Sequence, residues 1–356
     1  MKFVSLAVVV AACGGDDGGS GLAKASYRVD PFSSATDVGE VFAFNATGHL
    51  VSHSTTHGWT VIDVATRVFT QITAMTGFLG FDDSGELLYT ADSGGPLRYF
   101  LRSGNGGGSE TEIPRLLAGG IPFVPFALAN DGGVWGVTLQ AHQGETATPG
   151  YGRYAAGNVE EFRDWAGHAP TNDLGQIPFG VDAMRRAVFC ETPGDNGQGN
   201  GLPQTHCRIL TADNTPTELG RDVEGFWSIS RLRPITPGGR LGGEVTVGNF
   251  GFGGSFPALF EGARTELLGV ELGEVLALND RGDVIFNQLH VSQPVRVRDA
   301  AGDVADLTDF LRDPTVPNRE VTGLEVLALA PDGRILVKHG TDGTDANMTV
   351  DILTPR

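Results

Sequence analysis

The chain is poor in cysteine, in positive charge and in long helix-forming stretches. Its 356 residues include only 3 cysteines, and 25 Lys and Arg stand against 43 Asp and Glu, for a formal net charge of −18. A chain this acidic is repelled by phosphate backbones, so the composition argues against nucleic acid as a partner. Stretches rich in Ala, Glu, Lys and Leu at helical spacing are scarce, which disfavours a mainly helical fold.

The motifs that mark several enzyme classes are also missing. The sequence has no G-x-S-x-G nucleophile elbow, no phosphate-binding P-loop and no H-E-x-x-H zinc motif. The Gly-rich stretch 251–254 lacks the Lys and the following helix that a phosphate cradle needs. The sequence therefore assigns no catalytic residue.

Glycine and short apolar runs are abundant. There are 52 Gly and 19 Pro residues, and clusters of Gly, Asp, Asn and Pro separate the apolar runs. This pattern is typical of many short β-strands joined by turns.

The N-terminus reads MKFVSLAVVVAACGGDDGGSG. The apolar run 3–12 is too short to span a bilayer but fits the central part of a secretory signal. Val10-Ala11-Ala12-Cys13 resembles the bacterial lipobox. This resemblance implies cleavage before Cys13 and lipid on that residue, with Gly14 favouring the outer membrane if the producer is Gram-negative.

These features predict three segments. Residues 1–12 form a lipoprotein signal peptide, residues 13–24 a flexible tether after a lipidated Cys13, and residues 25–356 a single domain. The alternative is an ordinary signal peptide with an incidental cysteine. We expect an extracytoplasmic monomer held at a membrane through its lipid.

One stretch occurs twice. Residues 274–286 read EVLALNDRGDVIF, and residues 325–337, 51 positions later, read EVLALAPDGRILV. Each copy has two apolar runs around a turn that ends in Gly, which predicts a β-hairpin. Because both runs are apolar without strict alternation, we expect both to be covered on both faces.

The same unit recurs along the chain. Equivalent turn glycines are Gly48, Gly85, Gly132 or Gly133, Gly239, Gly282 and Gly333, and the fourth unit, around Met184, lacks one. Units begin near residues 40, 77, 122, 176, 226, 274 and 324, each with about four strand-like runs. A period of about 40–50 residues with four strands is that of a propeller blade. The sequence predicts an all-β propeller of seven blades, with six and eight as alternatives.

The last unit has only three strand-like runs. A fourth run, ASYRVDPF at 25–32, is left over at the N-terminus. We expect it to pair with a strand near 346–354 and close the ring, because closure removes an exposed sheet edge.

Residues 277–284 and 298–307 resemble the HAF-type extracellular repeat of bacterial proteins. This resemblance implies a bacterial extracytoplasmic propeller and no particular activity. The tryptophan-bearing repeats of quinoprotein propellers and the S-x-D-x-G-x-x-W box of sialidases are absent.

Cys190 and Cys207 flank a Gly-rich loop between the second and third runs of unit four. Adjacent antiparallel strands can bring two cysteines within disulfide range, and an exported chain meets oxidising surroundings. We predict a Cys190–Cys207 disulfide, with two free thiols as the alternative.

Seven of the eight histidines fall at one end of the predicted ring, in or near the longer connections. From these, His57, His290 and His339 are candidate ligands of a divalent metal, with histidines in ordinary loops as the alternative. Three functions remain open: a binding or scaffold propeller with an unknown protein or small-molecule ligand, a hydrolase or lyase with carboxylate or metal chemistry on the long-loop face, and a structural envelope component.

Overall fold

The structure is a computed structural model of the chain. It describes residues 27–92, 94–117, 121–140, 148–155, 157–164, 177–184, 186–191, 205–210, 215–249, 252–269, 272–287, 294–311, 321–340 and 348–356. Cys13, the signal peptide and the tether lie outside the described residues, as does His290.

Seven antiparallel sheets form a ring, so the protein is a seven-bladed β-propeller. Blade 1 consists of β2 (Glu40–Phe44), β3 (His49–Ser54), β4 (Gly58–Asp63) and β5 (Val68–Gln71). Blade 2 consists of β6 (Gly77–Phe81), β7 (Leu87–Ala91), β8 (Arg98–Arg102) and β9 (Glu110–Ile113). Blade 3 consists of β11 (Ile121–Leu128), β12 (Val134–Gln140), β13 (Thr148–Ala155) and β14 (Asn158–Asp164) as its first to fourth strands, with an extra strand β10 (Leu116–Leu117) paired to β11. Blade 4 consists of β15 (Ile177–Val181), β16 (Ala187–Glu191), β17 (His206–Leu210) and β18 (Pro216–Glu218).

The second half of the ring repeats the pattern. Blade 5 consists of β19 (Phe226–Ser230), β20 (Leu241–Asn249), β21 (Phe252–Glu261) and β22 (Arg264–Leu267). Blade 6 consists of β23 (Val275–Leu278), β24 (Val284–Asn287), β25 (Val295–Arg298) and β26 (Val304–Asp306). Blade 7 consists of β27 (Thr322–Leu329), β28 (Ile335–Gly340), β29 (Thr349–Pro355) and β1 (Tyr27–Ser34). Two short helices are α1 (Ala35–Val38) and α2 (Leu307–Leu311).

The N-terminal strand closes the ring, as predicted. β1 pairs antiparallel with β29, from Tyr27 opposite Pro355 to Ser34 opposite Thr349. Tyr27 and Phe32 of β1 are buried. The last blade thus combines three C-terminal strands with one N-terminal strand, and the outer edge of β29 is covered.

The ring has two different ends. The hairpin face carries the turns between first and second strands, at Gly48, Gly85, Gly132, Gly239, Gly282 and Gly333, all with left-handed φ. Because neighbouring strands alternate in direction, the turns between third and fourth strands lie on this face too. The long-loop face carries the connections from second to third strands and from one blade to the next.

The two strands of the repeated stretch differ in burial. The second strands are enclosed, with Val284, Ile285 and Phe286 of β24 at most 1% exposed. The first strands are only partly covered, since most residues of β27 and β23 keep intermediate exposure. The prediction that both runs are covered on both faces was therefore right for the second strand and wrong for the first, which borders the central channel.

Every first strand contains a register irregularity. The pairing skips between Val41 and Ala43 in β2, between Phe78 and Gly80 in β6, and between Pro125 and Ala127 in β11. Corresponding shifts occur in the first strands of the other four blades. A bulge adds one residue to the strand and re-aims the side chains beside it. The two-residue strand β10 of blade 3 was not predicted from the sequence.

Candidate functional site

A cavity of about 750 Å³ lies in the channel, bordered by blades 1 to 5. Its wall follows the first strands to the turn residues Asn130, Asp131 and Ala183, so it reaches the hairpin face. This volume lies within the range of about 300–1,000 Å³ found for small-molecule sites. The cavity is the candidate functional site.

The bulges supply much of the cavity wall. Phe42, Leu79 and Phe126 are the residues skipped by the pairing of blades 1 to 3, and all three line the cavity. Each lies six positions before the turn glycine of its blade. The irregular register therefore brings equivalent apolar side chains from three blades to one place.

Aromatic rings form the wall at blades 1 and 2. The ring of Phe42 lies 4.7 Å from that of Trp59 and 5.7 Å from that of Phe78, measured between centroids. Phe42 keeps 37% of its surface exposed. A large apolar side chain held by two other rings and open to the channel is suited to contact an apolar ligand.

Two ion pairs border the apolar wall at blades 3 and 4. Arg153 Nη2 lies 2.7 Å from Asp131 Oδ2, and Arg186 Nε lies 2.6 Å from Asp182 Oδ2. Arg153 and Asp182 are buried, at 8% and 2% exposure. Both carboxylates in the cavity wall are thus held by a guanidinium group, and a ligand meets charge that is already paired.

A shared turn geometry positions this rim. In each of these turns, the side-chain oxygen of the first residue accepts a hydrogen bond from the backbone N–H of the residue four positions later. The residues that do so are Asn45, Asp82, Asp182, Thr236 and Asn279, with N···O distances of 2.8–3.0 Å. The side chain closes the turn, and in blades 1, 2, 5 and 6 the backbone carbonyl of the same residue accepts from the N–H of the turn glycine.

The same turns fasten neighbouring blades to each other at three junctions. Asn279 Nδ2 donates to the carbonyl of Ala330 at 3.0 Å, which joins the two copies of the repeated stretch directly. Asn45 Nδ2 donates in the same way to the carbonyl of Asp82 at 3.1 Å. Asp280 accepts from Thr236 Oγ1 and from the backbone N–H of Gly238. The repetition in the sequence therefore has a structural cause.

Blade 2 departs from this pattern. Asp82 is 2% exposed, and its Oδ2 has no hydrogen-bond partner. Burial raises the pKa of its carboxyl above the usual range, although hydrogen bonds from Glu86, Ser84 and Gly85 act to lower it. Burial, with the charge of Asp82, also raises the pKa of Glu86.

The described histidines lie apart from this cavity. His57 Nε2 is 3.7 Å from Asp37 Oδ1, and His339 Nε2 is 2.9 Å from Asp351 Oδ2. Among the residues that the structure describes, no three His, Cys, Asp or Glu side chains come together as a metal site. Because His290 lies outside them, the metal site of His57, His290 and His339 stays a prediction.

Cys190 and Cys207 form a disulfide, as predicted. They lie directly opposite each other on β16 and β17, and both are buried in the core between blades 4 and 5. Of the described helices, none is long and apolar enough to cross a membrane.

Comparison with known proteins supports the fold. No family model and no curated protein matches the sequence. The structure is similar to the β-propeller domain of the Trilobed protease from Pyrococcus furiosus, which has an open velcro topology. The TM-score is 0.54 at 9% sequence identity, over 90% of this chain and 93% of that one. In the present chain β1 closes the last blade.

Two further solved structures match less closely. Acylaminoacyl peptidase from Pyrococcus horikoshii gives a TM-score of 0.49 at 9% identity, over 86% of this chain and 50% of that one. TolB from Acinetobacter baumannii gives 0.38 at 11% identity, over 80% and 64%. At these identities the likeness concerns the fold.

Proposed function

We propose that the protein is an exported, lipid-anchored binding propeller of the bacterial cell envelope, whose ligand occupies the channel cavity. The cavity of about 750 Å³ is the observation that carries this proposal. Ligand sites in proteins are concave, mostly apolar and supplied with a few placed polar groups. The bulge residues and the two ion pairs of the rim match that description.

The wall chemistry points to an amphipathic ligand. An apolar or aromatic group fits against Phe42, Phe78 and Leu79. A polar end then faces Arg153 and the carboxylate of Asp182, which pairs with Arg186. We favour binding over hydrolase or lyase chemistry because both carboxylates of the wall, Asp131 and Asp182, are engaged by arginines.

The position of β1 relates the cavity to the proposed anchor. Tyr27 lies at the hairpin-face end of β1, opposite Pro355. From Cys13 to Tyr27 there are 14 residue steps, which span at most roughly 50 Å. An anchor at Cys13 would therefore keep the hairpin face, and the cavity that opens there, close to the membrane.

The disulfide supports the proposed location. Disulfides persist in oxidising compartments and are rare in the cytosol. The Cys190–Cys207 bond is therefore in keeping with an extracytoplasmic protein. The lipobox-like sequence around Cys13 and the resemblance to the HAF-type repeat point the same way.

Anchoring is tested by Cys13→Ser in the native host. We expect the variant to leave the detergent phase and the membrane fraction, because the proposed acyl chains supply the membrane affinity. Its melting temperature after purification serves as control for folding. If Cys13→Ser partitions like the wild type, the anchor is wrong.

Binding is tested on protein purified from the native envelope. Organic extracts of the wild type and of Ala183→Phe, which adds an aromatic ring at the cavity wall, are compared by mass spectrometry. Ala301→Phe, in an exposed turn of blade 6, is the matched control. We expect a small molecule that co-purifies with the wild type and with Ala301→Phe but not with Ala183→Phe. Identical extracts from all three proteins would contradict the proposal.

A further inference from the structure

A second pocket, of about 400 Å³, lies at the seam where the ring closes. It is bounded by β1 and β29 of blade 7, by the turn between β4 and β5 of blade 1, and by the first turn of blade 7. Three arginines, Arg28, Arg67 and Arg334, line it, with Asp30 as the acidic side chain of the wall. All three arginines belong to the hairpin-face ends of their elements.

Arg67 projects into the pocket from a strained turn. Its φ of 59° lies in the left-handed region, where a residue other than Gly, Asn or Asp is uncommon. The turn is held by Asp63, whose Oδ1 accepts from the backbone N–H groups of Ala65 and Thr66 at 2.9 and 3.2 Å. The pKa of the Asp63 carboxyl is lowered, chiefly by a hydrogen bond from the Thr66 side chain and further by these two backbone hydrogen bonds.

The charge of Arg67 is not neutralised locally. Its Nη2 donates to the carbonyl oxygen of Pro31 at 2.8 Å, across the seam between blade 1 and blade 7. No carboxylate within the described ranges forms an ion pair with it. A guanidinium group has five N–H donors in a planar fork, so Arg67 keeps donors for a further acceptor.

The other two arginines are held beside it. Arg334 Nε lies 2.7 Å from Asp332 Oδ2, and its guanidinium carbon lies 4.9 Å from the ring centroid of Phe44. Arg28 Nη2 lies 2.8 Å from Asp30 Oδ2, on an exposed part of β1. Arg334 is thus fixed by two contacts, whereas Arg28 is paired with the one acidic side chain of the pocket.

The balance of charge in this pocket is opposite to that of the chain. Its wall has three arginines and one aspartate, and Asp332 pairs with Arg334 beside it, so one positive charge, that of Arg67, is left uncompensated in a protein with a net charge of −18. Phe32, Val64 and Ile352 form apolar wall. Thr354 Oγ1, 3.3 Å from Asp30 Oδ2, adds a hydroxyl group.

We propose that the seam pocket binds a phosphate group carried by a small molecule or by a lipid headgroup. Guanidinium groups recognise phosphate through charge-assisted, often bidentate hydrogen bonds. Arg67 offers the uncompensated positive charge, and a phosphate, which carries one to two negative charges at neutral pH, would share Arg28 and Arg334 with their carboxylates. The pocket also lies on the face where β1 begins, so a phospholipid headgroup and a soluble phosphate ester are both possible sources.

The test uses the full chain with Cys13→Ser, so that lipid on this residue does not contribute. Inorganic phosphate is titrated by calorimetry at constant ionic strength, with chloride as the reference salt. Arg67→Asn removes the guanidinium and places at φ 59° a residue that tolerates it. Arg264→Asn, at the exposed first residue of β22 in blade 5, is the charge-matched control.

We expect saturable phosphate binding that Arg67→Asn weakens roughly tenfold or more, since hydrogen bonds to charged groups are strong, and that Arg264→Asn leaves unchanged. Asp30→Asn should tighten binding, because it removes the competing carboxylate. A purely structural role of Arg67 would not produce that gain.

Vesicles identify the source of the phosphate. If the protein sediments with phosphatidylglycerol vesicles but not with phosphatidylcholine vesicles, and Arg67→Asn abolishes this sedimentation, the site binds a lipid headgroup. Phosphate binding without vesicle binding would assign it to a soluble ester. No saturable phosphate binding, or an equal effect of Arg67→Asn and Arg264→Asn, would overturn the proposal.

Discussion

Asn279 joins two blades through one side chain. Its Oδ1 accepts from the N–H of Asp283, and its Nδ2 donates to the carbonyl of Ala330 and to Asp283 Oδ2, all at 3.0 Å. Asp299 closes a similar turn on the outer part of the same blade, and within the described part of the chain it forms no hydrogen bond to a neighbouring blade. A comparison of these two residues therefore distinguishes the effect of closing a turn from the effect of joining two blades.

Asn279→Ala should be the more damaging of the two changes. It removes the hydrogen bonds to the buried carboxylate of Asp283 and to the carbonyl of Ala330, together with the oxygen that closes the turn, and these losses cost about 2–3 kcal/mol of unfolding free energy. Asp299→Ala should cost about 1 kcal/mol. Urea unfolding of both variants measures the difference, and equal losses would contradict the role given to Asn279.

Asp82→Asn should stabilise the protein at neutral pH. Asp82 Oδ2 is buried without a partner, whereas Asn occupies the equivalent positions 45 and 279 and donates there to the next blade. Asn at position 82 keeps the oxygen that closes the turn and removes the buried charge. We expect a gain of about 1–2 kcal/mol at pH 7.5.

This gain should shrink at acid pH. Burial raises the pKa of Asp82 in the folded state, so the folded carboxyl takes up its proton at higher pH than the unfolded one, whose pKa is about 3.9. The destabilisation of the wild type by the charged Asp82 is therefore complete at pH values above the folded-state pKa. It disappears as the pH falls below the unfolded-state pKa. Unfolding at pH 7.5 and 3.5, with exposed Asp92→Asn as control, tests this. A gain that does not depend on pH would contradict it.

At the scale of elements, β1 determines whether the ring is closed. Deletion of residues 22–35 removes the strand that covers the edge of β29, together with buried Tyr27 and Phe32. We expect a lower melting temperature and aggregation, because an unpaired edge strand recruits other chains. A synthetic peptide of residues 25–35 added in trans should restore both properties. Unchanged melting of the deletion would count against closure.

The sequence predicted the blades well because each blade is a local unit with its own turn. Turn glycines and short apolar runs at regular spacing placed the blade starts within two residues of β2, β6, β11, β15, β19, β23 and β27. The leftover run 25–32 was assigned correctly for a simple reason. The last unit had three strands, and a blade with a free edge is unfavourable.

The cavity could not be predicted in the same way. Its wall combines Phe42, Leu79 and Phe126 from three blades, and these residues reach the channel through bulges that break the two-residue alternation of a strand. The sequence drew attention to histidines at the long-loop face instead. A useful signal was nevertheless present, since each of the three apolar residues lies six positions before its turn glycine.

At the scale of the whole molecule, the features to which we assign a function lie on the hairpin face. It carries the mouth of the channel cavity, the seam pocket with its three arginines, and the start of β1 at Tyr27. An anchor at Cys13 would hold this face near the membrane. The architecture then suits a receptor or scaffold that presents its ring to ligands close to the bilayer.

The central claim is that the channel cavity binds an amphipathic ligand. Fluorescence titration with 1-anilinonaphthalene-8-sulfonate tests it directly, because this probe joins an aromatic body to an anionic group. We expect saturable binding of one probe per chain to the wild type and to Ala301→Phe, and loss of that binding in Ala183→Phe. Absence of saturable binding to the folded wild type, or equal binding by Ala183→Phe, would contradict it.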